Sequence, residues 1–383
     1  MYEPLQICTD CIKENAGIPK SVRLFQKALG GRIISFTREN IIPIEEDVVM
    51  HVPYINTFLG RLYGKPNIDN IQQLESCLKL PSILIIHGLY RYHVEWAINY
   101  AKKYSIPYWI VLHGSLDPWT LSYRKLQKLI WLKFIGFHAI NSASKIITIT
   151  HKEYQKAKKL IGNKITHSIY LPIDDIYSTS ESVIRLKNLR DQFNLKDKRV
   201  LLFVGRIHPM KRVIETIENF IKASCLNTVL VILGPESKEL SYHDCTKYIP
   251  EKFSENIILI GPLFNDYKYD WFNLADGFIS LSHRENFNFA AAEALSFALP
   301  VILSPGNDLS DDLRNVDVGW LLKSNIGSEE INAIQEFSQT KKESLLKMGL
   351  NGKAWADINL SFELFSVTIN QMVIETINNY RLS

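Results

Sequence analysis

Two glutamates flank the start of a predicted helix in residues 278–303. This stretch reads FISLSHRENFNFAAAEALSFALPVIL, and Glu285 and Glu293 stand eight positions apart within it. If the helix begins near Asn288, Glu293 lies about 8 Å along the helix from Glu285, because each residue adds 1.5 Å of rise. That separation is roughly the length of a diphosphate, so one carboxylate is suited to a sugar and the other to a ribose.

Backbone amides between the two carboxylates add a site for anions. The amides of Phe287, Asn288 and Phe289 would lie at the first helical turn, where no carbonyl of the helix accepts their hydrogen bonds. The helix dipole increases their attraction for negative charge, so phosphate groups are the expected ligands. Two simpler roles stay open, in which Glu285 only caps the helix and Glu293 lies solvated on its exposed face.

Three cations follow a short apolar run in the sequence VLLFVGRIHPMKRVIETIENFIKA. The run predicts a buried strand, Gly205 permits a turn, and a helix is predicted from about Lys211 to Ala223. Arg206, Lys211 and Arg212 then gather at a helix N-terminus, where the dipole disfavours each cation by about 0.3–1 kcal/mol. A bound anion would reverse this cost, and such side chains are suited to binding a diphosphate. The alternative is three solvated cations.

Two loops in the first half of the chain are further candidates. In IVLHGSLDPW, residues 110–119, His113 follows an apolar strand and so emerges at the carboxyl edge of a sheet. A second His-Gly pair at His87 leaves a structural role open for either histidine. Gly17 lies in the loop ENAGIPKSV after the first predicted strand, where a ligand-binding loop and an ordinary turn both fit.

These motifs together resemble glycosyltransferase family 4, a large family of retaining sugar-nucleotide transferases with the GT-B fold. The chain has ENFN, EAL and AxPVI where the family pattern reads EGFG, EAL and GxPVI. Asn286, Asn288 and Ala298 therefore replace customary glycines, and Asn is the residue that best tolerates left-handed backbone geometry after glycine. HGSLDPW resembles the N-domain motif of one subset of the family, and this resemblance favours His113 over His87.

The resemblance implies a catalytic role for His113 and Glu285, which would both contact the donor sugar. It also implies that G-R-x4-K binds the diphosphate, that Glu293 binds the ribose, and that the Gly17 loop faces the diphosphate and the acceptor. Spacing and resemblance together assign donor binding to Gly17, Gly205, Arg206, Lys211, Phe287, Asn288, Phe289 and Glu293.

The resemblance further implies a reaction that requires no metal. Arg206, Lys211 and the helix amides would neutralise the leaving diphosphate by preorganised electrostatics, and no D-x-D motif occurs in the sequence. We therefore expect no cofactor beyond the nucleotide-diphosphate sugar, which is the donor substrate. In such enzymes the leaving phosphate takes the acceptor proton, so no protein nucleophile is assigned.

The expected function is a retaining glycosyltransferase of the hexosyltransferase type. It would move a sugar from a nucleotide-diphosphate donor to a glycan or lipid-linked acceptor, in the synthesis of surface polysaccharide or another glycoconjugate. Two alternatives stay open. One is a sugar-nucleotide epimerase or hydrolase, which would turn over without an acceptor. The other is a non-catalytic GT-B protein that binds sugar nucleotides.

Strands and helices alternate through most of the chain, which is typical of parallel sheets with helices on both faces. The expected fold class is α/β, as GT-B, with two Rossmann-like doubly wound domains facing a central cleft. Residues 1–172 would form the acceptor-side domain and residues 173–360 the nucleotide-sugar-binding domain. Residues 361–383 would form a closing helix that returns to the first domain.

Composition agrees with a globular protein that has two cores. The chain has 383 residues and a net charge of +4, with no basic run or arm for nucleic acid. Five cysteines, an odd number, favour a reducing compartment over a disulfide framework. The N-terminus lacks the basic and apolar regions of a signal peptide, and no apolar run reaches the roughly 20 residues of a membrane span. We expect a cytoplasmic protein, with a place at the inner face of the membrane as one option.

Residues 120–138, TLSYRKLQKLIWLKFIGFH, are both basic and apolar. On a helical wheel Arg124, Lys125 and Lys128 fall within about 100° of one another. One interpretation is peripheral contact with a membrane, since interfacial helices have this composition. The other is a buried helix with a solvated basic edge, because the apolar positions nearly encircle the helix axis.

Overall fold

A computed structural model describes residues 2–11, 17–37, 48–57, 60, 63–164, 167–173, 180–225, 227–263 and 265–382. The chain forms two compact units. The first unit comprises Met1–Pro172 and Phe362–Ser383, and the second unit comprises Ile173–Ser361.

A parallel sheet of seven strands forms the centre of the first unit, in the order β3-β2-β1-β4-β5-β6-β7. The strands are β1 Pro4–Thr9, β2 Arg32–Thr37, β3 Val49–Pro53, β4 Ile83–His87, β5 Tyr108–Val111, β6 Lys145–Thr148 and β7 His167–Ser168. Strands β4 and β5 are buried along their whole length, as parallel strands are when helices cover both faces of the sheet. Their continuous apolar sequences follow from this burial.

Helices cover this sheet. They are α1 Gly17–Leu29, α2 Ile68–Cys77, α3 Tyr92–Tyr104, α4 Pro118–Ser122, α5 Lys125–Trp131, α6 Phe137–Ser142 and α7 His151–Ile161. A π-helical turn, Leu132–Gly136, joins α5 to α6, and a 3₁₀ turn, Gly162–Lys164, follows α7. The apolar stripe of α1 shows the pattern: Val22 and Phe25 are fully buried.

The second unit repeats this architecture around six parallel strands, in the order β10-β9-β8-β11-β12-β13. The strands are β8 Arg199–Val204, β9 Thr228–Leu233, β10 Ile257–Gly261, β11 Gly277–Ser280, β12 Val301–Leu303 and β13 Gly319–Leu321. The helices are α8 Ser180–Gln192, α9 Val213–Ala223, α10 Tyr242–Thr246, α11 Asn265–Leu274, α12 Phe289–Ser296, α13 Leu309–Asp312, α14 Gly327–Gln339 and α15 Lys342–Asn359. Two 3₁₀ turns lie at Pro209–Lys211 and Glu251–Phe253.

The last helix, α16 Phe362–Leu382, packs on the first unit. The Phe365 ring meets Phe25 of α1 edge to face, with ring centroids 5.1 Å apart. Trp109 of β5 donates its indole hydrogen bond to Thr376 over 3.0 Å. A buried aromatic pair and a satisfied indole therefore attach the end of the chain to the first sheet.

Both sheets have the doubly wound strand order, and this order fixes where ligands bind. In the first sheet the order reverses between β1 and β4, and in the second sheet it reverses between β8 and β11. Loops leave the carboxyl ends of these neighbouring strands toward opposite faces, so a crevice opens at each topological switch point. The predicted fold class, two Rossmann-like α/β domains, is confirmed.

One of the three replaced glycines carries backbone strain. Ala298, just after α12, has φ 55°, in the left-handed region that costs a residue with a Cβ about 1–2 kcal/mol. We expect Ala298→Gly to raise the free energy of unfolding of the second unit by about 1 kcal/mol and its melting temperature by roughly 2–4 °C. Calorimetry measures this shift. Ala294→Gly inside α12 is the control and should lower stability; a similar loss in both variants would show that Ala298 is unstrained.

Candidate functional site

Two loops meet at the switch point of the second unit. The first loop, residues 205–212, follows β8, and the second, residues 281–288, follows β11. The His283 amide donates to the Met210 carbonyl over 2.9 Å, and Lys211 forms an ion pair with Glu285. The cationic motif and the first glutamate, which are 74 residues apart in sequence, therefore lie side by side.

Glu285 is fixed by contacts on both its side chain and its backbone. Its side chain is 12% exposed and that of Lys211 is 18% exposed, and Ser282 donates a hydroxyl hydrogen bond of 3.0 Å to the carboxylate. The Glu285 amide donates to the Gly306 carbonyl over 2.8 Å, and the Asp308 amide donates to the Glu285 carbonyl over 2.9 Å. The carboxylate is thus held at the edge of the sheet with its charge neutralised by one lysine.

Asn288 caps α12, so the alternative that Glu285 is the cap is wrong. Asn288 has φ 53°, and its side-chain oxygen accepts from the Ala291 amide over 3.3 Å. Its side-chain nitrogen donates to the Ser280 hydroxyl over 3.1 Å and to the Asn307 amide oxygen. The helix therefore begins where the sequence predicts, and the asparagine that replaces a customary glycine supplies both the left-handed backbone and the cap.

The amides assigned to phosphate lie directly before and at the start of α12. Phe287 is 3% exposed, and its ring meets Phe289 edge to face with centroids 5.0 Å apart. Within the part of the chain that the structure describes, no group accepts a hydrogen bond from the amides of Phe287 and Asn288. This end of the helix retains donors for an anion.

Glu293 is buried inside α12, so the alternative that it is solvated is wrong. The residue is 2% exposed, and its carboxylate accepts from the Lys268 ammonium of α11 over 2.8 Å. The Lys268 ammonium also lies 4.6 Å from the centre of the Tyr269 ring. A carboxylate this deeply buried requires a partner, and Lys268 is the partner that the sequence motif did not indicate.

The three cations after β8 have three different environments. Arg206 is exposed and makes no ion pair within the described residues. Lys211 lies in the 3₁₀ turn and pairs with Glu285, and the helix predicted from about Lys211 starts two residues later, at Val213. Arg212 is 6% exposed and binds Glu330, which is fully buried. The alternative of three solvated cations is therefore wrong, and only Arg206 and Lys211 remain available to a ligand.

The candidate glycines Gly205 and Gly17, and Gly234 beside Gly205, differ in whether their position requires a glycine. Gly205 does not have positive φ, and an added Cβ would lie 3.6 Å from Phe203, so the turn does not depend on its backbone freedom. Gly234, after β9, requires glycine, because it has φ 146° and a Cβ there would lie 1.9 Å from the Gly205 carbonyl oxygen. Gly17 is the first residue of α1, with open space around it; residues 12–16 of its loop lie outside the described residues.

In the first unit the structure pairs the two candidate histidines. His113 Nε2 lies 2.9 Å from His87 Nδ1, and the rings stack with centroids 5.2 Å apart. Burial lowers the pKa of His113 to about 3 and the pKa of His87 well below its usual value, with the neighbouring His113 and His93 adding to the effect. Both imidazoles are therefore neutral near pH 7.

Buried polar contacts hold the HGSLDPW loop in place. The Gly114 amide donates to the Glu153 carboxylate, which also accepts from the Ile149 amide over 2.8 Å. Asp117 caps α4 by accepting from the Trp119 amide over 2.9 Å, and it pairs with Lys156 over 2.6 Å. His113 is thus presented from a loop with little freedom to move.

Residues 120–138 do not form one buried helix, so that interpretation is wrong. Arg124 adopts φ 53° and separates α4 from α5, and the π-helical turn follows. Trp131 and Leu132 are buried. The large apolar side chains exposed by this segment and its neighbour are Trp119, Tyr123, Leu126, Leu129, Ile130, Phe134 and Phe137.

The cations of this segment are also divided. Lys128 donates to the Thr120 carbonyl and lies 5.2 Å from the centre of the Tyr90 ring. Arg124, Lys125 and Lys133 are exposed. This segment of the first unit therefore exposes both basic and apolar side chains, although Lys128, one of the three clustered cations, is turned toward the protein.

Neither a metal centre nor a membrane span is present in what the structure describes. Among the described residues, no group of three or more His, Cys, Asp or Glu side chains could hold a metal ion. None of the helices described combines the length and apolarity needed to cross a bilayer.

Sequence comparison matches most of the second unit to a known family. Residues 186–355 match the family described as Glycosyl transferases group 1. A protein of Bacillus subtilis (strain 168), assigned to teichuronic acid biosynthesis as the glycosyltransferase TuaC, is 29% identical over 211 residues. That match covers 53% of this chain and 48% of TuaC, so the alignment spans about half the length of this relative.

Solved structures resemble the chain over nearly its whole length. HepE (Alr3699) of Anabaena, in complex with UDP and glucose, has a TM-score of 0.76 at 17% identity and covers 99% of this chain and 100% of its own. Sucrose-phosphate synthase of Thermosynechococcus elongatus has a TM-score of 0.78 at 16% identity, with coverage of 98% and 100%. Most of the second unit therefore matches a glycosyltransferase family, and the two parallel-sheet domains of the chain have the GT-B fold.

Proposed function

We propose that this chain is a glycosyltransferase that takes a sugar from a nucleotide-diphosphate donor bound at the switch point of the second unit. The observation that carries this proposal is the pairing of Lys211 with Glu285 across the two loops that flank that point. Arg206 lies exposed in the same loop as Lys211. A cation pair for phosphates and a carboxylate for sugar hydroxyls thus stand next to each other.

The ion pair suggests how the donor engages. Without a ligand, Glu285 neutralises Lys211. A diphosphate carries more negative charge than one carboxylate, so it competes for the lysine and forms charge-assisted hydrogen bonds with it and with Arg206. Glu285 is then released to accept hydrogen bonds from the sugar. The match of residues 186–355 to the glycosyltransferase family supports a donor site in this unit, and HepE was solved with UDP-glucose bound.

The chemistry that follows is a retaining transfer of a hexose, in which the leaving diphosphate is stabilised by protein groups. Arg206, Lys211 and the amides of Phe287 and Asn288 would neutralise the charge that develops as the glycosidic bond breaks. Glu285 would orient the sugar, and Glu293 would bind the ribose. In the first unit, His113 is the second catalytic residue that we propose. A metal ion has no assigned role in this scheme.

A screen of nucleotide sugars with and without acceptor glycans tests the proposal. We expect nucleoside diphosphate to be released only when an acceptor is present, and the product to keep the anomeric configuration of the donor by NMR. Turnover without an acceptor would instead establish the epimerase or hydrolase alternative. Binding without any product would establish the non-catalytic one.

For the acceptor we propose a lipid-linked glycan, reached from the inner face of a membrane. The exposed surface of residues 120–138 carries Leu126 and Phe134, which are 73% and 72% exposed, next to exposed cations. Large apolar patches on a surface mark contact sites, and apolar side chains with flanking cations are typical of interfacial segments. A membrane with anionic lipid would contact both the apolar side chains and the cations.

Vesicle cosedimentation measures this contact. Because each cation near an anionic surface contributes about 1 kcal/mol, replacing Arg124, Lys125 and Lys133 by Glu should reduce partitioning roughly 100-fold or more. Binding of the unmodified chain should rise with anionic lipid and fall with salt. The control replaces Lys102, Lys159 and Lys164 by Glu, since these three lysines are exposed elsewhere on the first unit. A protein that stays in the supernatant at low salt, or equal losses in both variants, would refute the contact.

A further inference from the structure

A chain of hydrogen bonds connects His113 to the interior of the first unit. His87, at the end of β4, is 2% exposed, and its Nδ1 lies 2.9 Å from His113 Nε2. On its other side His87 Nε2 lies 3.0 Å from the side-chain amide of Gln6. Gln6 is fully buried in β1, so the three side chains run from the first strand to the carboxyl edge of the sheet.

The surroundings of Gln6 decide which way its amide points. One end of the amide lies 3.0 Å from the Val22 carbonyl oxygen and 3.0 Å from His87 Nε2, and the other end lies 2.8 Å from the Gln26 backbone nitrogen. A carbonyl only accepts and a backbone amide only donates. The nitrogen of Gln6 therefore faces Val22 and His87, and its oxygen faces Gln26.

This orientation fixes the proton of each neutral imidazole in turn. Gln6 donates to His87 Nε2, so that nitrogen accepts and the His87 proton is on Nδ1. His87 Nδ1 then donates to His113 Nε2, which places the His113 proton on Nδ1. The His87 carbonyl accepts from His93 Nε2 over 3.1 Å, and burial lowers the pKa of His93 to about 3, so the ring next to this chain is also neutral.

We propose that Gln6 and His87 are positioning residues that hold His113 in the tautomer with its proton on Nδ1, so that His113 offers the substrate a fixed hydrogen-bond donor. No described residue accepts a hydrogen bond from His113 Nδ1. The group that fits is an oxygen that accepts, such as a sugar hydroxyl oxygen or a phosphate oxygen. This role rests on the proposed transfer reaction, and it excludes His113 as a base, because Nε2 is occupied and Nδ1 is already protonated.

Long-range ¹⁵N NMR of the full chain with labelled histidine tests the tautomer without reference to activity. The protonated and unprotonated nitrogens of a neutral imidazole have well-separated ¹⁵N shifts, and His113→Asn identifies the His113 signals among the ten histidines. We expect His113 Nδ1 to be protonated and Nε2 to be unprotonated. A proton on Nε2 would overturn the proposal while leaving the transferase function untouched.

Variants of the two positioning residues supply the functional readout. Gln6→Leu and His87→Leu remove the donors, so His113 should show both tautomers, and kcat for transfer should fall about 10-fold with nucleoside-diphosphate affinity unchanged. His87→Asn keeps a side-chain amide that can donate to His113 and should retain the tautomer and most of kcat. Melting temperatures confirm that each variant is folded. Equal losses in His87→Asn and His87→Leu, or a kcat that Gln6→Leu does not change, would overturn the positioning role.

Discussion

Replacing Glu285 with glutamine is expected to reduce sugar transfer by about 100-fold or more, because contacts to sugar hydroxyls that strengthen in an oxocarbenium-like transition state supply several kcal/mol. Glutamine keeps the shape of the side chain and its contact with Ser282 while removing the charge. Initial rates with saturating donor measure the change in kcat.

The same variant should bind free nucleoside diphosphate as tightly as the unmodified chain, or more tightly. Glu285 neutralises Lys211 when no ligand is bound, so removing its charge leaves the lysine available to the diphosphate. Glu255→Gln is the matched control, since Glu255 is exposed in the same unit and should change neither rate nor affinity. Loss of diphosphate binding in a folded Glu285→Gln protein would show that Glu285 does not act on the sugar.

Replacing Arg206 or Lys211 with alanine is expected to weaken binding of both the donor and the free nucleoside diphosphate. A hydrogen bond to a charged group contributes about 1.5–3 kcal/mol, so each change should raise Kd roughly 10- to 100-fold. Isothermal titration calorimetry at two salt concentrations measures the affinity and its electrostatic part.

The Arg206→Ala and Lys211→Ala variants should differ from each other in melting temperature. Arg206 is exposed and makes no ion pair in the described chain, so its removal should leave the melting temperature unchanged. Lys211→Ala leaves the carboxylate of Glu285 without its cation and should lower the melting temperature. Lys222→Ala, at the other end of α9 and 60% exposed, is the control for lost positive charge. Unchanged affinity in both site variants would place the diphosphate outside this loop.

Much of the fold could be predicted because parallel strands buried on both faces appear as short apolar runs. Ten short apolar runs predict strands, and β1, β2, β4, β5, β6 and β8 to β12 are found there. The runs are residues 5–8, 33–36, 83–86, 108–112, 146–149, 200–204, 229–233, 257–260, 278–281 and 301–303. Three strands gave no such signal. Strand β7 has two residues, β13 is short and partly exposed, and β3 is buried only at Val49 and Val52.

The site could be predicted only as far as local sequence determines it. The start of α12 at Asn288 follows from helix propensity and capping, so it could be located. The pairing of Lys211 with Glu285, of Arg212 with Glu330 and of Lys268 with Glu293 depends on contacts between distant segments, for which the sequence contains no local signal. Arg212 also shows how a left-handed residue, φ 55°, moves a predicted helix start.

Two further residues, Asn307 and Gln6, could have been identified from the sequence because of their positions in the predicted sheets. Asn307 lies in SPGND directly after β12, the neighbour of β11, and it donates to the Ser280 carbonyl over 2.9 Å. Polar residues after the carboxyl ends of neighbouring strands share one edge of a sheet, so this loop could have been included. Gln6 is a polar residue between the apolar residues Leu5 and Ile7 of β1, and its burial required a partner such as His87.

The most direct test is a crystal structure of the chain with the nucleoside diphosphate that it binds most tightly. We expect the diphosphate within hydrogen-bonding distance of Arg206 and Lys211 and of the amides that begin α12, with the ribose hydroxyls at Glu293. Lys211 should have left Glu285 for a phosphate oxygen. A diphosphate bound away from the switch point of the second unit, with the Lys211–Glu285 pair intact, would contradict the proposed donor site.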